Sequence, residues 1–422
     1  MVRVLHVSDT HLGAAPHSSI HRYRDVFEAF RETVDIAIEE RVDAYIHAGD
    51  FFDRASVAPE TYILAIKELQ RLRDSGIRVV VVAGQHDMPR RRSLSPLALL
   101  RELGLVDVVA IESVVSARLS TRSGTLSVVA VPYAARKSIS RAPAPPREGP
   151  SILVAHLLLK EVGIPSYDAS LSDIPTGFSY VALGDYHGHR VFRLVDGTPV
   201  VYSGATEVFR VDEWSEDGKG VQLVEVERGE ARVERIRLRS VRPWIVKRFS
   251  SVQEALKEVR ALIEGIRARY LKSPIVNITV RLGPTETIAP LQRELDEFVR
   301  KNMVLYYEIH PESPSRGLEP IETPSDTDFE RLSLEELVKS VVEHDELAKL
   351  IVSLVRDPSE ETARALFEQL AANEELLRAA KNMLLRSTRP QPRTSSRSSS
   401  FPGSSARARR GGGLLSYLGG SR

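Results

Sequence analysis

Residues 2–13 have the sequence VRVLHVSDTHLG, and this stretch decides how the first half of the chain folds. A short apolar run ends at a polar segment that carries Asp9 and His11. Short apolar runs rich in β-branched residues are typical of buried strands. The stretch therefore predicts a strand whose carboxyl end presents a carboxylate and an imidazole.

The same arrangement occurs twice more further along the chain. Apolar runs at residues 44–48 and 77–83 end at Gly-Asp (49–50) and Gly-Gln-His-Asp (84–87). Two intervening segments have apolar side chains at helical spacing, residues 23–40 and 59–75. Strands that alternate with helices imply parallel strands in an α/β layer structure.

Shorter strands follow, and two of them also end at polar segments. The later strand candidates are residues 126–131, 152–155, 180–183 and 199–202, and a hairpin of 220–227 with 231–238. His156 directly follows one of these strands, and Asp-Tyr-His-Gly-His (185–189) follows another. Ligand sites in parallel α/β sheets form outside the carboxyl ends of the strands. We therefore expect all five polar segments to share one rim.

Such a set of side chains suits two divalent cations that together act on a phosphoester. Asp50 follows the middle strand and is the natural bridge between the two ions. Taken singly, each residue has a plainer interpretation, because a strand-end Asp more often caps a turn and a lone His is usually structural. His6, His47, His310 and His344 are interpreted as structural, and His17 and His21 as surface residues. The ordered set across five strand ends favours the metal site.

The composition limits the type of site and of protein. With 422 residues the chain is expected to form two or three domains, and with no cysteine any metal must be held by imidazole, carboxylate and amide groups. No long apolar run or signal-peptide pattern occurs, which predicts an intracellular, cytoplasmic protein.

Residues 387–422 contain seven Arg and no acid, so residues 1–386 carry 51 Lys and Arg against 57 Asp and Glu. Contacts with a polyanion would therefore come from local patches or from the tail.

Beyond residue 240 the pattern changes. Residues 240–322 show the order βαβαβ, which is enough for a small α+β domain, and residues from 333 onward are helical up to about 386. The last residues are rich in Ser, Arg, Gly and Pro, which predicts disorder. The predicted regions are 1–240, 241–325, 326–386 and 387–422. The helices of the third region either dock on the body or offer their apolar side to a partner.

The polar segments and the residues around them resemble the calcineurin-like metallophosphoesterases, and more narrowly the SbcD/Mre-type nuclease subunits of double-strand-break repair. The segments that carry the resemblance are VSDTHLG (7–13), AGDFFD (48–53), AGQHD (83–87), YVALG (180–184) and PVVYSG (199–204). The resemblance covers about residues 1–245. It implies a metallophosphoesterase sandwich in region 1–240, a small α+β DNA-capping domain in 241–325 and a helical ATPase-binding segment in 326–386.

The resemblance also implies roles for individual residues. His86 would be the catalytic histidine that assists departure of the leaving oxygen. The implied metal ligands are Asp9, His11, Asp50, Gln85, His156, His187 and His189, with Asp185 as a substitute. The family has Asn where this chain has Gln85, and a longer side chain displaces the amide oxygen.

The family signature Gly-His-x-His can be aligned in two ways. Alignment on Gly184 selects Asp185 and His187 as ligands, whereas alignment on His-x-His selects His187 and His189. His187 is common to both, and the second alignment is slightly preferred. Asp is a competent manganese ligand, so neither alignment removes the site.

The function that the resemblance implies is a manganese-dependent DNA nuclease with two Mn²⁺ ions per subunit. It would act as a 3′→5′ exonuclease on duplex ends and as a single-strand endonuclease. Arg90, Arg91 and Arg92 are predicted to contact DNA phosphates. No phosphate-binding Gly-x-x-x-x-Gly-Lys loop occurs, so ATP hydrolysis would fall to an SbcC/Rad-type coiled-coil ATPase. A homodimer associated with the nucleoid is expected.

Two other functions stay open from the sequence. One is a phosphodiesterase for small phosphoesters, which the additional regions after residue 240 argue against, since a small substrate needs no such cap. The other is a catalytically weakened subunit that tethers DNA to the ATPase, which the retained Asp9, His11, Asp50, His86 and His156 argue against.

Overall fold

The protein is represented by a computed structural model that describes residues 1–89, 94–146, 149–227, 229–283, 286–312 and 344–356, with short pieces at 368–370, 372–373 and 376–377. The chain divides into two units, Met1–Ser315 and Arg316–Arg422. The four-region division predicted from the sequence stays a prediction. Its last region, 387–422, lies outside the described residues, as does the greater part of 326–386.

The first sheet is built around the strand with which the chain begins. Its strands are β1 (Val2–Val7), β2 (Ala44–His47), β3 (Arg78–Val82), β4 (Val108–Ala110), β11 (Gly220–Glu227) and β12 (Glu230–Arg237). Their order is β12-β11-β1-β2-β3-β4, and β1 to β4 are parallel. The predicted parallel arrangement is thus present, and the predicted hairpin forms the antiparallel edge.

A second six-stranded sheet contains the later short strands. Its strands are β5 (Val115–Thr121), β6 (Gly124–Val131), β7 (Ser151–His156), β8 (Tyr180–Gly184), β9 (Arg190–Arg193) and β10 (Pro199–Tyr202). They run in the order β5-β6-β7-β8-β10-β9, with β6, β7, β8 and β10 parallel. His156 and the segment 185–189 therefore lie at the carboxyl ends of two neighbouring parallel strands, β7 and β8.

The two sheets pack face to face through alternate apolar side chains. Ile46 and Val80 of the first sheet belong to the same buried cluster as Val128 and Val154 of the second. Strands buried on both faces are expected to be nearly continuous apolar runs, which is what β2, β3 and β7 are. The result is a two-sheet sandwich.

Helices cover the outer face of the first sheet. They are α1 (Ile20–Glu39), α2 (Pro59–Asp74) and α3 (Pro96–Glu102). The apolar stripes of these helices are buried against that face, and they include Phe30, Leu69 and Leu100. Proline at the first turn of α2 and α3 fits a position whose N–H needs no helical partner. The outer face of the second sheet is covered by shorter segments, among them the 3-10 stretch Tyr133–Arg141 with Ile139.

A third, parallel sheet confirms the predicted βαβαβ order. It comprises β13 (Trp244–Phe249), β14 (Ile275–Arg281) and β15 (Tyr307–Glu312), with α4 (Val252–Arg267) and α5 (Ala289–Arg300) as crossovers. Ile263 and Leu295 of the helices pack on Ile278 of the middle strand. Trp244 and Ile275 instead belong to the core around the first sheet. The third sheet is thereby packed against the sandwich.

In the second unit, the described residues contain the helix α6 (Asp345–Arg356). Leu347 and Ala348 are buried with Leu376 in a small apolar cluster. The predicted helical character is present over these residues. No described helix is long and apolar enough to cross a membrane.

Candidate metal centre

The loops after β1 and β2 run alongside each other at the rim of the first sheet. The amide of Asp9 donates to the carbonyl of Gly49 at 3.0 Å, and the amide of His11 donates to the carbonyl of Asp50 at 3.0 Å. Asp9 and Asp50 each have a φ of 52°, in the left-handed region that non-glycine residues rarely adopt. Such backbone strain concentrates at functional sites. Both strand-end carboxylates are thus held in place by the paired loops.

Glycines allow these loops and those of the second sheet to approach closely. A Cβ atom on Gly84 would overlap the carboxylate of Asp50, and one on Gly49 would overlap the ring of His156. A Cβ atom on Gly184 would overlap the carbonyl of Ala48. The predicted Gly-Asp and Gly-Gln-His-Asp segments therefore need glycine for space.

Asp50 lies at the middle of the resulting cluster. Its Oδ1 accepts a hydrogen bond from the amide of His86 at 2.9 Å, but its buried Oδ2 has no hydrogen-bond partner. Around Oδ2 stand the Nε2 atoms of His156 at 3.6 Å, His11 at 3.8 Å and His86 at 4.0 Å. A buried carboxylate oxygen without a partner is costly. A cation between Asp50 and these imidazoles would satisfy it.

Three of the histidines are oriented through their Nδ1 atoms. Nδ1 of His156 donates to the carbonyl of Ala48 at 2.7 Å, and Nδ1 of His86 donates to the carbonyl of Asp53 at 2.7 Å. Nδ1 of His187 donates to the carboxylate of Glu213 at 2.8 Å. A hydrogen bond at one ring nitrogen directs the other towards a metal. These contacts direct the Nε2 atoms into the cluster.

The spacing of the ligand atoms fits metal coordination. Among the described residues, three groups have ligand atoms within 4.8 Å of one another: Asp9/His11/His187, Asp9/Asp50/His156 and His11/Asp53/His86. Nε2 of His11 lies 3.1 Å from Nε2 of His187. Metal–ligand bonds of about 2.1 Å at right angles separate ligand atoms by about 3 Å. The donor set of imidazoles and carboxylates therefore fits divalent cations.

Gln85 and Asp185 both reach this cluster. Oε1 of Gln85 lies 2.8 Å from Nε2 of His156, and its Nε2 donates to Oδ1 of Asp185 at 2.9 Å. The amide of Asp185 donates to Oδ1 of Asp9 at 3.1 Å. The longer side chain at position 85 thus keeps its amide oxygen at the site.

His189, the residue slightly preferred from the sequence, is not in any of the three groups. Its Nδ1 donates to the carbonyl of Tyr202 at 3.0 Å and lies 3.4 Å from Gln222. His187 belongs to one of the three groups. Asp185 belongs to none of them, but its Oδ1 lies 3.8 Å from Nε2 of His156, and its φ of 92° is in the left-handed region. The contacts of Asp185 and His187 are those expected from the alignment on Gly184, and the assignment of Asp185, His187 and His189 as ligands stays a prediction.

The charges in the cluster are strongly interdependent. Burial raises the pKa of Asp9 to about 6 and lowers the pKa of His11 to about 3. Burial would also lower the pKa of His156, but neighbouring carboxylates, Asp50 first, raise it to about 10. Burial would raise the pKa of Asp50, whereas the surrounding imidazoles hold it well below its usual range. Without a metal the imidazole of His156 balances the carboxylates, and a bound cation would replace its proton.

Several residues near the rim have structural contacts. Asp87 is fully buried and accepts hydrogen bonds from the amides of Phe51, Phe52 and Gly84. His47 lies 3.0 Å from the hydroxyl of Thr10. These contacts hold the loops together.

Glu213 and Lys219 were not found by the sequence reasoning. Nζ of Lys219 donates to the carbonyl of His187 at 2.9 Å and lies 3.5 Å from Glu213. Neither residue follows a strand of the parallel series, so the pattern of strand ends did not indicate them. Asp53, which joins His11 and His86 in one group, was part of a quoted motif but was assigned no role. Arg90, Arg91 and Arg92 lie outside the described residues.

A two-sheet sandwich whose strand-end loops gather imidazole, carboxylate and amide groups that could hold two cations is typical of metal-dependent phosphoesterases. Residues 2–212 match the family described as calcineurin-like phosphoesterase. The chain belongs to this family and, within it, to the Mre11 family. The predicted metallophosphoesterase sandwich is thereby confirmed.

The relatives carry the name DNA double-strand break repair protein Mre11. The protein from Sulfurisphaera tokodaii is 30% identical over 373 residues, which cover 85% of this chain and 94% of that protein. The protein from Saccharolobus solfataricus is 30% identical over 390 residues, covering 88% and 99%. A solved dimetal phosphatase from Danio rerio is similar at 12% identity and a TM-score of 0.35 over 55% of this chain and 98% of its own, too weak a likeness to carry an argument.

Proposed function

We propose that this chain is a two-metal DNA nuclease that processes double-strand breaks. The observation that carries the proposal is the convergence of imidazoles on the buried, unpartnered Oδ2 of Asp50. The names of the relatives support DNA ends as the substrate. Manganese dependence, 3′→5′ exonuclease activity and single-strand endonuclease activity belong to the same proposal.

Each ligand has a place in the proposed mechanism. Asp50 and Asp9 would lie between the two ions, with His11 and His187 as ligands on one side and Gln85, His156 and Asp185 on the other. When bound, the cation pair supplies an activated water and a counter-charge for the leaving oxygen.

His86 is the proposed general acid. Its side chain is 42% exposed, so substrate can reach it, and its Nδ1 is anchored on the carbonyl of Asp53. Because Nδ1–H is donated to that carbonyl, Nε2 is the ring nitrogen that can take up a second proton, and the resulting imidazolium would transfer this proton from Nε2 to the leaving oxygen. Nε2 of His86 lies 4.0 Å from Oδ2 of Asp50, and His86 shares a candidate ligand group with His11 and Asp53. In the proposed mechanism, His86 acts on the leaving oxygen and the other ligands hold the cations.

A nuclease assay tests the proposal. The full chain with Mn²⁺ is expected to cut linear duplex and single-stranded DNA, and His86→Ala should reduce the rate by about 10²–10⁴-fold while Mn²⁺ binding by calorimetry is retained. His21→Ala, at an exposed position of α1, is the control. Hydrolysis of a small chromogenic phosphodiester without DNA cutting would favour the small-substrate function. DNA binding without hydrolysis of either would favour tethering.

A homodimer and an ATPase partner are part of the proposed assembly. Large apolar side chains of α2 and α3 are exposed, with Ile63 44%, Leu99 43% and Leu103 45% accessible. Exposed apolar patches commonly mark protein interfaces. Leu99→Lys is expected to shift the sedimentation of the full chain towards the monomer, whereas Val195→Lys, at a 99% exposed turn residue, should not. Unchanged sedimentation of Leu99→Lys would contradict this interface.

Addition of the coiled-coil ATPase is expected to produce a larger complex and to stimulate cutting. Arg90, Arg91 and Arg92 are proposed to bind DNA phosphates, so charge-neutralising changes should weaken binding most at low salt.

A further inference from the structure

The two sides of the metal cluster carry different ligand atoms. The histidine side consists of His11 and His187, whose Nε2 atoms lie 3.1 Å apart. The oxygen side consists of Gln85, His156 and Asp185, which offer an amide oxygen, one imidazole and a carboxylate. Asp9 and Asp50 have ligand atoms near both sides. The histidine side thus contributes two nitrogen donors, and the oxygen side contributes one.

Asp185 is built into the oxygen side by two contacts. Its backbone amide donates to Oδ1 of Asp9 at 3.1 Å, and its Oδ1 accepts from Nε2 of Gln85 at 2.9 Å. Its Oδ1 also lies 3.8 Å from Nε2 of His156, with the side chain 10% exposed. Within the described part of the chain, no lysine or arginine lies within 4.0 Å of this carboxylate. A cation is therefore the natural partner for its negative charge.

The orientation of Gln85 follows from this carboxylate. Since its Nε2 donates to Asp185, its Oε1 must face His156. The amide thus presents an oxygen to the same space as the carboxylate. The two residues act as a pair, in which Asp185 sets the direction of the Gln85 amide.

Carboxylate and amide oxygens suit Mg²⁺, Mn²⁺ and Ca²⁺, whereas imidazole suits Zn²⁺, Co²⁺ and similar ions. We propose that the two halves of the centre select different cations, a hard ion on the oxygen side and a transition metal on the histidine side, with Asp185 as the determinant. This inference rests on the two-metal centre of the proposed function. A centre with the same donor atoms in both halves would not distinguish between two kinds of cation.

Cobalt absorption provides a readout that does not depend on catalysis. The chelator-stripped full chain is loaded with Co²⁺, whose visible spectrum reports its coordination, and is then titrated with Mg²⁺. The wild type is expected to bind two equivalents of Co²⁺ and to release one of them to Mg²⁺ at much lower concentration than the other.

Asp185→His replaces the carboxylate by an imidazole and should make the two halves similar. The Mg²⁺ concentration that releases the first Co²⁺ is expected to rise about tenfold or more, the scale on which changes around metal ligands alter affinity. Asp74→His, the same change at an exposed residue at the end of α2, should leave the titration unchanged. Asp185→Asn keeps an oxygen and the side-chain shape, so it should show a smaller rise and serves if the histidine variant does not fold.

Release of both Co²⁺ ions together in the wild type would overturn the inference, as would binding of a single equivalent. The inference would also be overturned if both Asp185 variants released their first Co²⁺ ion at the same Mg²⁺ concentration as the wild type. Stepwise release from a chain that cuts no DNA would leave the inference standing and contradict the proposed nuclease function. A chain that cuts DNA but releases both Co²⁺ ions together would support the proposed nuclease function and contradict the inference.

Discussion

Nδ1 of His187 donates a hydrogen bond to Oε1 of Glu213 over 2.8 Å, and this contact ties a metal-facing imidazole to a loop that carries no ligand of its own. Oε2 of Glu213 also accepts from the amide of Phe209 at 3.0 Å. The ring of Phe209 packs edge-on against His11, with centroids 5.0 Å apart. Burial would raise the pKa of Glu213, but its hydrogen bond with His187 lowers it to about 2. Glu213 is therefore a charged positioning residue.

Glu213→Gln is expected to weaken Mn²⁺ binding about 10–100-fold, because the carboxylate that fixes the direction and basicity of His187 is lost. Isothermal titration calorimetry on the full chain measures this change. Asp212→Asn is the matched control, since Asp212 is exposed and pairs with Arg210. Equal affinities in Glu213→Gln and the wild type would show that Glu213 does not position the ligand.

Asp87 is expected to stabilise the fold rather than hold a metal. Its carboxylate accepts from the amides of Phe51, Phe52 and Gly84 at 2.9–3.1 Å. Asp87→Ala leaves three buried donors without acceptors, and each costs about 1–3 kcal/mol. Urea unfolding in the presence of EDTA should show a loss of about 3 kcal/mol or more. Asp74→Ala, at an exposed position, should unfold like the wild type, and the prediction fails if the two variants behave alike.

A buried ion-pair network joins α1 to the third sheet. Asp25 lies 2.6 Å from Arg242, 2.8 Å from Arg22 and 2.9 Å from Lys272. Asp25→Asn removes the carboxylate that all three cations contact, although Arg22 keeps Glu207 and Lys272 keeps Glu28. Breaking a buried pair typically costs about 3–5 kcal/mol. Asp35→Asn, in an exposed pair with Arg71, should cost about 1 kcal/mol or less. Chemical denaturation of both variants separates the two cases.

Stability is expected to fall as the pH drops below 6.5, in part because of His6. Burial lowers the pKa of His6 from 6.5 to about 3. Between these values the unfolded chain binds a proton that the folded protein excludes, so the free energy of unfolding rises with pH in this window. His6→Gln keeps a polar partner for Tyr180, which lies 2.9 Å from Nδ1, and should flatten the slope between about pH 3 and 6.5. If the free energy of unfolding of His6→Gln changed with pH as steeply as that of the wild type, the pH dependence would come from other titrating groups.

The pattern of the sequence determined most of the layered structure. The apolar runs that precede Asp9, Asp50 and Gly84 correspond to β1, β2 and β3, and the order βαβαβ predicted for residues 240–322 corresponds to β13, α4, β14, α5 and β15. The strands β4, β5 and β9 and the helix α3 were not predicted. β4 and β9 are short, and β5 alternates between partly buried and exposed residues but has few large apolar side chains, so their structure depends on the strands beside them.

By itself, the sequence determined which polar residues follow strands, because side-chain periodicity and strand ends are local properties of the chain. Only the tertiary structure decided that Asp185 rather than His189 faces the cluster, that Gln85 reaches His156, and that Glu213 supports His187. These relations join residues from separate loops. Their geometry depends on sheet register and on backbone turns at positions such as Asp185, which no local pattern specifies.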